Sequence, residues 1–371
     1  MNTYFDICAT TPIDKDVLDF IHTQNQAVFG NPSSIHEFGQ KSRTIIEKAR
    51  ISMAKAINAQ TSEIVFTCNG SVSNNMALMG VLNKGDHLIS SSYEHPAVLK
   101  VCDSLKNKGI DITLIKPDKS GVINYKDIES HIQKNTKLIS IMYINNEIGT
   151  INPIKEISQL ARENQILLHT DAVQAMGKIK IDIKDIGVDL LSLSGHKFYG
   201  PKGIGVLFIK QETIIKPILF GGGQESDLFP GTENIINIGA IGKAAEICMD
   251  TINLYSDQIK VLENHFLNLM DKFQVNYRIN GQNRAPGILN MTLPETNSQS
   301  FIINLDREGY AISAGSACAS GSIKGSTTLK EIGLSDTDIK SSYRISFSKY
   351  HTKKDVENLF NAMLKHIKGP A

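Results

Sequence analysis

Between about residues 36 and 210, helical patterns alternate with seven short apolar runs: EIVFT, HLISS, ITLI, KLISIMY, ILLHT, VDLLSLS and GVLFI. That alternation restricts the chain to a mainly parallel sheet covered by helices. Runs this apolar are expected to be buried on both faces. One helix is expected to open between Ser33 and His36 and continue through Ile57, and another begins at the proline of PIKEISQLAREN. After Thr232 a long helical stretch leads into a second region of strands and helices from about Val275. The expected division is a large domain over residues 14–255, and a smaller α/β domain made of residues 1–13 and 256–371.

The 371 residues, 41% of them apolar, are enough for two cores. With 39 basic against 38 acidic residues there is no broad positive field to hold nucleic acid or an anionic membrane. No apolar run is long enough to span a bilayer, and MNTYFDICATTP lacks the regions of a signal peptide, so the cytoplasm is the expected compartment. Cys8, Cys68, Cys102, Cys248 and Cys318 form no C-x-x-C pair, which argues against a disulfide framework or a zinc site. No metal is expected.

The segment LLSLSGHKFYGPKGIGVLFI holds Lys197 and Lys202 in a glycine-rich turn. Gly195 to Lys202 misses the nucleotide phosphate loop by one inserted proline, and Gly203 stands where that loop needs a hydroxyl. In open parallel sheets, ligands bind beyond the carboxyl ends of the strands. Polar residues collect there: Asn69-Gly70-Ser71, Glu94-His95, Asn145-Asn146-Glu147, Asp171 with Gln174, and Gly195-His196-Lys197. Each alone reads as a helix cap or a solvated turn. Asp171 and Lys197 form either a buried ion pair or the two anchors of pyridoxal phosphate, which takes a lysine at its aldehyde and an acid at its pyridine nitrogen. In the second case the Gly70 backbone, Ser71, Ser194 and His196 receive the phosphate. Lys202, beyond the turn, is expected to be structural or on the surface.

The segments YFDICATTP, FGNPSSIHEFG, EIVFT, EHPAV, SIMYINNEIGTI, HTDAVQAMGKI, SLSGHKFYGPKGIG, GGGQE, PGTEN, AISAGSACASGS and SSYRIS run in order from residue 4 to about 346. Together they resemble the cysteine desulfurases of the NifS and IscS kind, pyridoxal 5'-phosphate enzymes of the class V aminotransferase group. The resemblance implies an aspartate-aminotransferase-like α/β fold, a homodimer, and removal of sulfur from L-cysteine to give L-alanine and a persulfide on Cys318. It implies that Lys197 carries the cofactor and acts as base, that Asp171 keeps the pyridine nitrogen protonated, and that Gln174 bonds the ring hydroxyl. His95 would stack on the ring and shuttle protons, with Asn146 beside ring and substrate. Ser71, Ser194 and His196 match phosphate ligands, and Thr232 matches one donated by the partner subunit. Arg344 matches the substrate-carboxylate clamp, and Asn31 lies in the matching substrate loop.

Two positions depart from the family pattern. The phosphate turn reads Cys68-Asn69-Gly70-Ser71-Val72, and Phe229 replaces an arginine before Gly231-Thr232. The sulfur acceptor, an iron-sulfur scaffold or a tRNA-thiolation enzyme, is not specified. The alternatives are another class V enzyme, such as a selenocysteine lyase or an aminotransferase, and a non-catalytic assembly partner. Cys8, Cys68, Cys102 and Cys248 are expected to pack as small apolar residues, with a place near the cofactor as the alternative that the resemblance implies for Cys8 and Cys68. The glycine- and serine-rich surround of Cys318 suits an exposed loop.

Overall fold

The computed structural model describes residues 3–315 and 325–367. Twelve strands fall among them, in chain order β1 (Thr3–Tyr4), β2 (Ile64–Thr67), β3 (His87–Ser91), β4 (Asp111–Ile115), β5 (Thr136–Ser140), β6 (Leu167–Asp171), β7 (Leu190–Ser194), β8 (Gly205–Ile209), β9 (Arg278–Asn280), β10 (Ile288–Thr292), β11 (Tyr310–Ala311) and β12 (Ser342–Ser346). All seven apolar runs become strands of one sheet, in the order β2-β8-β7-β6-β5-β3-β4. Only β8 runs against its neighbours; the pairs β7-β6, β6-β5, β5-β3 and β3-β4 are parallel.

Alternate side chains of these strands enter different cores. Ile64, Phe66, Ile89, Ile139, Leu191, Val206 and Phe208 pack on one face, and Val65, Leu88, Leu138, Leu190 and Leu207 on the other. The period of two is therefore present but apolar in both phases, as a sheet covered on both faces requires. Strand β4 departs from the expected burial: it lies at the sheet edge, and Leu114 is 43% exposed. An edge strand has a neighbour on one side only, and apolar character alone does not report that position.

The helix Glu37–Ile57 starts on His36, whose side chain accepts the Gly39 N–H, and stops where Asn58 turns left-handed. The stretch after Thr232 is one helix, Ile235–Lys272, whose 38 residues span about 57 Å. Its first half buries Ile238, Ile241 and Ala245 against the large sheet, and its second half buries Ile259, Leu262 and Phe266 in a separate core. That second core also holds Phe5, Leu289, Tyr343 and Phe360 around the antiparallel sheet β12-β10-β9. The first residues of the chain belong to it: β1 pairs with β11, and Asp6 bridges to Ser346. Residues 6–14 then cross towards the large sheet, where Thr11 N donates to the His196 carbonyl and Asp14 N to that of Tyr199.

Candidate active site

Strand β5 lies beside β3 on the side away from β4, so the direction of winding reverses there, and the carboxyl ends of the strands open a crevice of about 240 Å³. Its walls bring together Gly70, Ser71, His95, Asn146, Asp171, Gln174, Ser194, His196, Lys197 and Arg344. Cys8 and Ala9, from the N-terminal segment, complete one side.

Lys197 ends the short turn Gly195–Lys197 that follows β7. Gly195 N and Gly200 N close this turn on the carbonyls of Ile204 and Gly195. The Lys197 Nζ donates to the carbonyl oxygens of Cys8 at 2.6 Å and Ala9 at 2.9 Å. Asp171 ends β6 and is 5% exposed. Its carboxylate accepts the Val173 N–H at 3.0 Å and the Asn74 amide at 2.7 Å, a buried charge met by two donors. Asn74 comes from the helix Gly70–Val81, whose first turn is capped by Asn69 accepting the Val72 N–H. A side chain at Gly70 would put a Cβ 2.7 Å from Val173 Cγ2, so only glycine lets this helix terminus approach the crevice so closely.

His95 caps the helix Pro96–Lys106 by accepting the Ala97 N–H on Nδ1, which places the proton of its neutral ring on Nε2. Burial lowers its pKa; Asp171 works the other way and Lys197 adds to the lowering. Burial, with Lys197, Lys202 and Lys178, pushes His196 down to about 4, and its Nδ1 sits 3.0 Å from the Thr10 hydroxyl. The neighbouring Glu94 carboxyl is pushed up to about 8 by burial, against hydrogen bonds from Ser91 and the Met142 N–H. Arg344, on β12 and 1% exposed, donates to the Asn146 carbonyl at 2.8 Å and pairs with Asp6 at 2.6 Å.

Several participants carry no obvious signal in the sequence: Asn74, Asp6 and the Cys8 carbonyl. The first two sit within recognisable segments but act through pairings 97 and 338 residues away in the chain. A backbone carbonyl leaves no residue-type signal at all. Asn31 and Thr232 are exposed on the single chain and lie outside this crevice. Cys318 lies outside the described residues. Lys202 is exposed. Cys102 is buried, as expected of a packing cysteine, whereas Cys8 lines the crevice. Among the described residues no His, Cys, Asp and Glu cluster could hold a metal, and no helix is long and apolar enough to cross a membrane.

The donor set fits pyridoxal 5'-phosphate. A lysine amine and a fixed carboxylate face one crevice, with hydroxyls and a helix N-terminus at its end. Two buried polar atoms, Asn74 Oδ1 and Arg344 Nε, have no protein partner among the described residues. Fold and crevice together define a pyridoxal-phosphate enzyme. The chain belongs to the class-V aminotransferase family, whose profile matches residues 3–359. It is 41% identical to cysteine desulfurase IscS of Dictyoglomus turgidum over 98% of this chain and 94% of that one, and 40% identical to cysteine desulfurase IscS of Methanosarcina thermophila over 97% and 90%. Among solved structures it superposes on a NifS-like protein with a TM-score of 0.92, at 30% identity and 98% coverage of both chains. It also superposes on SspA in complex with cysteine, with a TM-score of 0.83 at 36% identity, over 95% of this chain and 100% of that one.

Proposed function

We propose that the protein is a cysteine desulfurase that takes sulfur from L-cysteine onto Cys318 and releases L-alanine. The observation that carries this reading is the convergence of Lys197, Asp171 and Arg344 on one crevice, in a chain 36–41% identical to proteins named cysteine desulfurase. When bound, pyridoxal phosphate supplies an electron sink that acidifies the α-carbon of an amino acid. Lys197 holds its aldehyde and then moves the α-proton. Asp171, braced by Asn74, would keep a proton on the pyridine nitrogen, and the Gln174 amide would bond the ring hydroxyl. Ser71, Ser194, His196 and the N-terminus of the helix Gly70–Val81 bind the phosphate. Thr232 of a second subunit adds to that set in a homodimer. His95, neutral with its proton on Nε2, would stack on the ring and move a proton, which the departing sulfur does not need and the carbon it leaves does.

Arg344 binds the substrate carboxylate, with Asp6 and the Asn146 carbonyl fixing its plane, and Asn31 closes the substrate loop. The Cys318 thiolate attacks the substrate sulfur, an S–S bond forms as the C–S bond breaks, and a proton at the former Cβ completes alanine. An acceptor protein, an iron-sulfur scaffold or a tRNA-thiolation enzyme, then takes the sulfur. The core around the antiparallel sheet supports two domains, residues 14–255 and residues 1–13 with 256–371, although Cys8, Ala285, Ile288, Leu329, Ile332 and Ile339 of the second pack in the core of the large sheet. Product analysis tests the reading: purified protein with L-cysteine yields alanine and, with a reductant, sulfide in equal amounts. A transferred amino group without sulfide marks an aminotransferase instead, and a colourless protein without turnover marks a non-catalytic partner.

A further inference from the structure

Lys178 is a buried amine that the proposed chemistry does not use. It is 9% exposed and, among the described residues, makes no ion pair; its Nζ donates to Gln174 Oε1 at 3.1 Å. A buried ammonium without a carboxylate is costly, and burial lowers its pKa accordingly. The turn is built to place it there. Gly177 adopts φ +79°, and a Cβ at that position would lie 3.0 Å from Phe198 Cβ, so a glycine turns the chain back and sets Lys178 beneath Gln174.

The contact has a direction. The amine donates to Gln174 Oε1, so the Gln174 amide presents its oxygen to Lys178 and its nitrogen to the other side. There Nε2 donates to the Cys8 carbonyl at 2.9 Å, and the same carbonyl accepts Lys197 Nζ at 2.6 Å. Lys178, Gln174, the Cys8 carbonyl and Lys197 thus form one chain of hydrogen bonds, with Lys178 at the end away from the crevice. Gln174 lines the crevice and Lys178 does not.

We infer that Lys178 is a positioning residue: it fixes the Gln174 amide so that the N–H not given to the Cys8 carbonyl turns towards the cofactor ring, and so sets the protonation of the linkage between Lys197 and the cofactor. The inference rests on the crevice being the pyridoxal-phosphate site. A donor facing the ring oxygen favours its anion, whereas a rotated amide would present an oxygen and disfavour it.

The test is a pH titration of the visible absorbance of the holoenzyme without cysteine. Lys178→Met removes the partner of the amide oxygen and leaves the amide held by the Cys8 carbonyl alone, and its spectral transition is expected about one pH unit above the wild type, a tenfold change in proton affinity. Lys178→Gln keeps a shorter donor and is expected to shift the same way by less. In a Gln174→Leu background Lys178→Met is expected to add nothing, since the residue acts through that amide. Wild-type titration in both Lys178 variants, or an undiminished shift in the Gln174→Leu background, overturns the inference while leaving the cofactor site standing. A wild-type protein that shows no cofactor band overturns the site and the inference together.

Discussion

The Lys197 amine donates to the carbonyl oxygen of Cys8 at 2.6 Å, across 189 positions of sequence. The amine that closes the turn after β7 is thereby aimed into the crevice by backbone from the start of the chain. Lys202, five residues on, is exposed and outside the crevice. Borohydride reduction of the holoenzyme, followed by peptide mapping, is therefore expected to find the cofactor on Lys197. Lys197→Ala should lose the attachment; label on Lys202 would refute the assignment.

Asp171 supplies a carboxylate that Asn74 and the Val173 N–H hold in place. Asp171→Asn removes the charge proposed to keep the pyridine nitrogen protonated and sets an amide against the Asn74 amide. Turnover is expected to fall at least about a hundredfold, in line with the loss of one preorganised electrostatic group. Retention of near-normal kcat would show that the carboxylate does not face the ring.

Arg344 serves two ends, and the two can be separated. Arg344→Lys cannot keep the planar fork, so KM for cysteine should rise about 10- to 100-fold. Arg344→Ala leaves the partly buried Asp6 unpaired, and urea unfolding should report a loss of about 2–3 kcal/mol. Asp6→Asn in the same chain should recover part of that loss, because the stranded charge is then gone. No recovery would mean that the pairing with Asp6 does not carry the cost.

Acid sensitivity should centre on buried histidines. His351 accepts the Ser348 N–H on Nδ1 and donates from Nε2 to the Tyr4 carbonyl, a neutral ring with both nitrogens committed. Burial pushes it down to about 4, against smaller opposing effects of Tyr4 and Asp355. The unfolded chain takes up this proton near pH 6.5 while the folded one refuses it, so stability falls as the pH drops from 6.5 towards 4. Between pH 7 and pH 5 this site accounts for about 2 kcal/mol. His351→Gln should shrink the stability difference between those two pH values by about that amount, as read from urea midpoints; an unchanged difference would exclude His351 as the source.

The large sheet could be read in advance because buried parallel strands are short, apolar and separated by helices, which is a local property of the chain. All seven runs, EIVFT to GVLFI, took their places. The edge position of β4 could not be read, because it depends on what packs against ITLI and not on its composition. Likewise the residues at strand ends, from Ser71 to Lys197, were visible by their position after apolar runs. Asn74, Asp6 and the Cys8 carbonyl were not, since each acts through a contact that exists only once distant segments meet. Lys178 follows a left-handed glycine, and nothing in its own segment shows that it points inward.

The central claim is that sulfur leaves cysteine by attack of one thiol. Cys318→Ser should remain yellow, since the groups proposed to hold the cofactor are Lys197, Asp171 and those at the phosphate end of the crevice. Its turnover should collapse, because a hydroxyl is a far weaker nucleophile than a thiolate at neutral pH. The deciding measurement is alanine release together with mass spectrometry of the intact protein before and after L-cysteine is added. The expected result is a sulfur added to the wild type and mapped to Cys318, with almost no alanine and no added sulfur in Cys318→Ser; near-normal alanine from the serine variant, or a persulfide on Cys8, Cys68, Cys102 or Cys248, would rule out attack by Cys318.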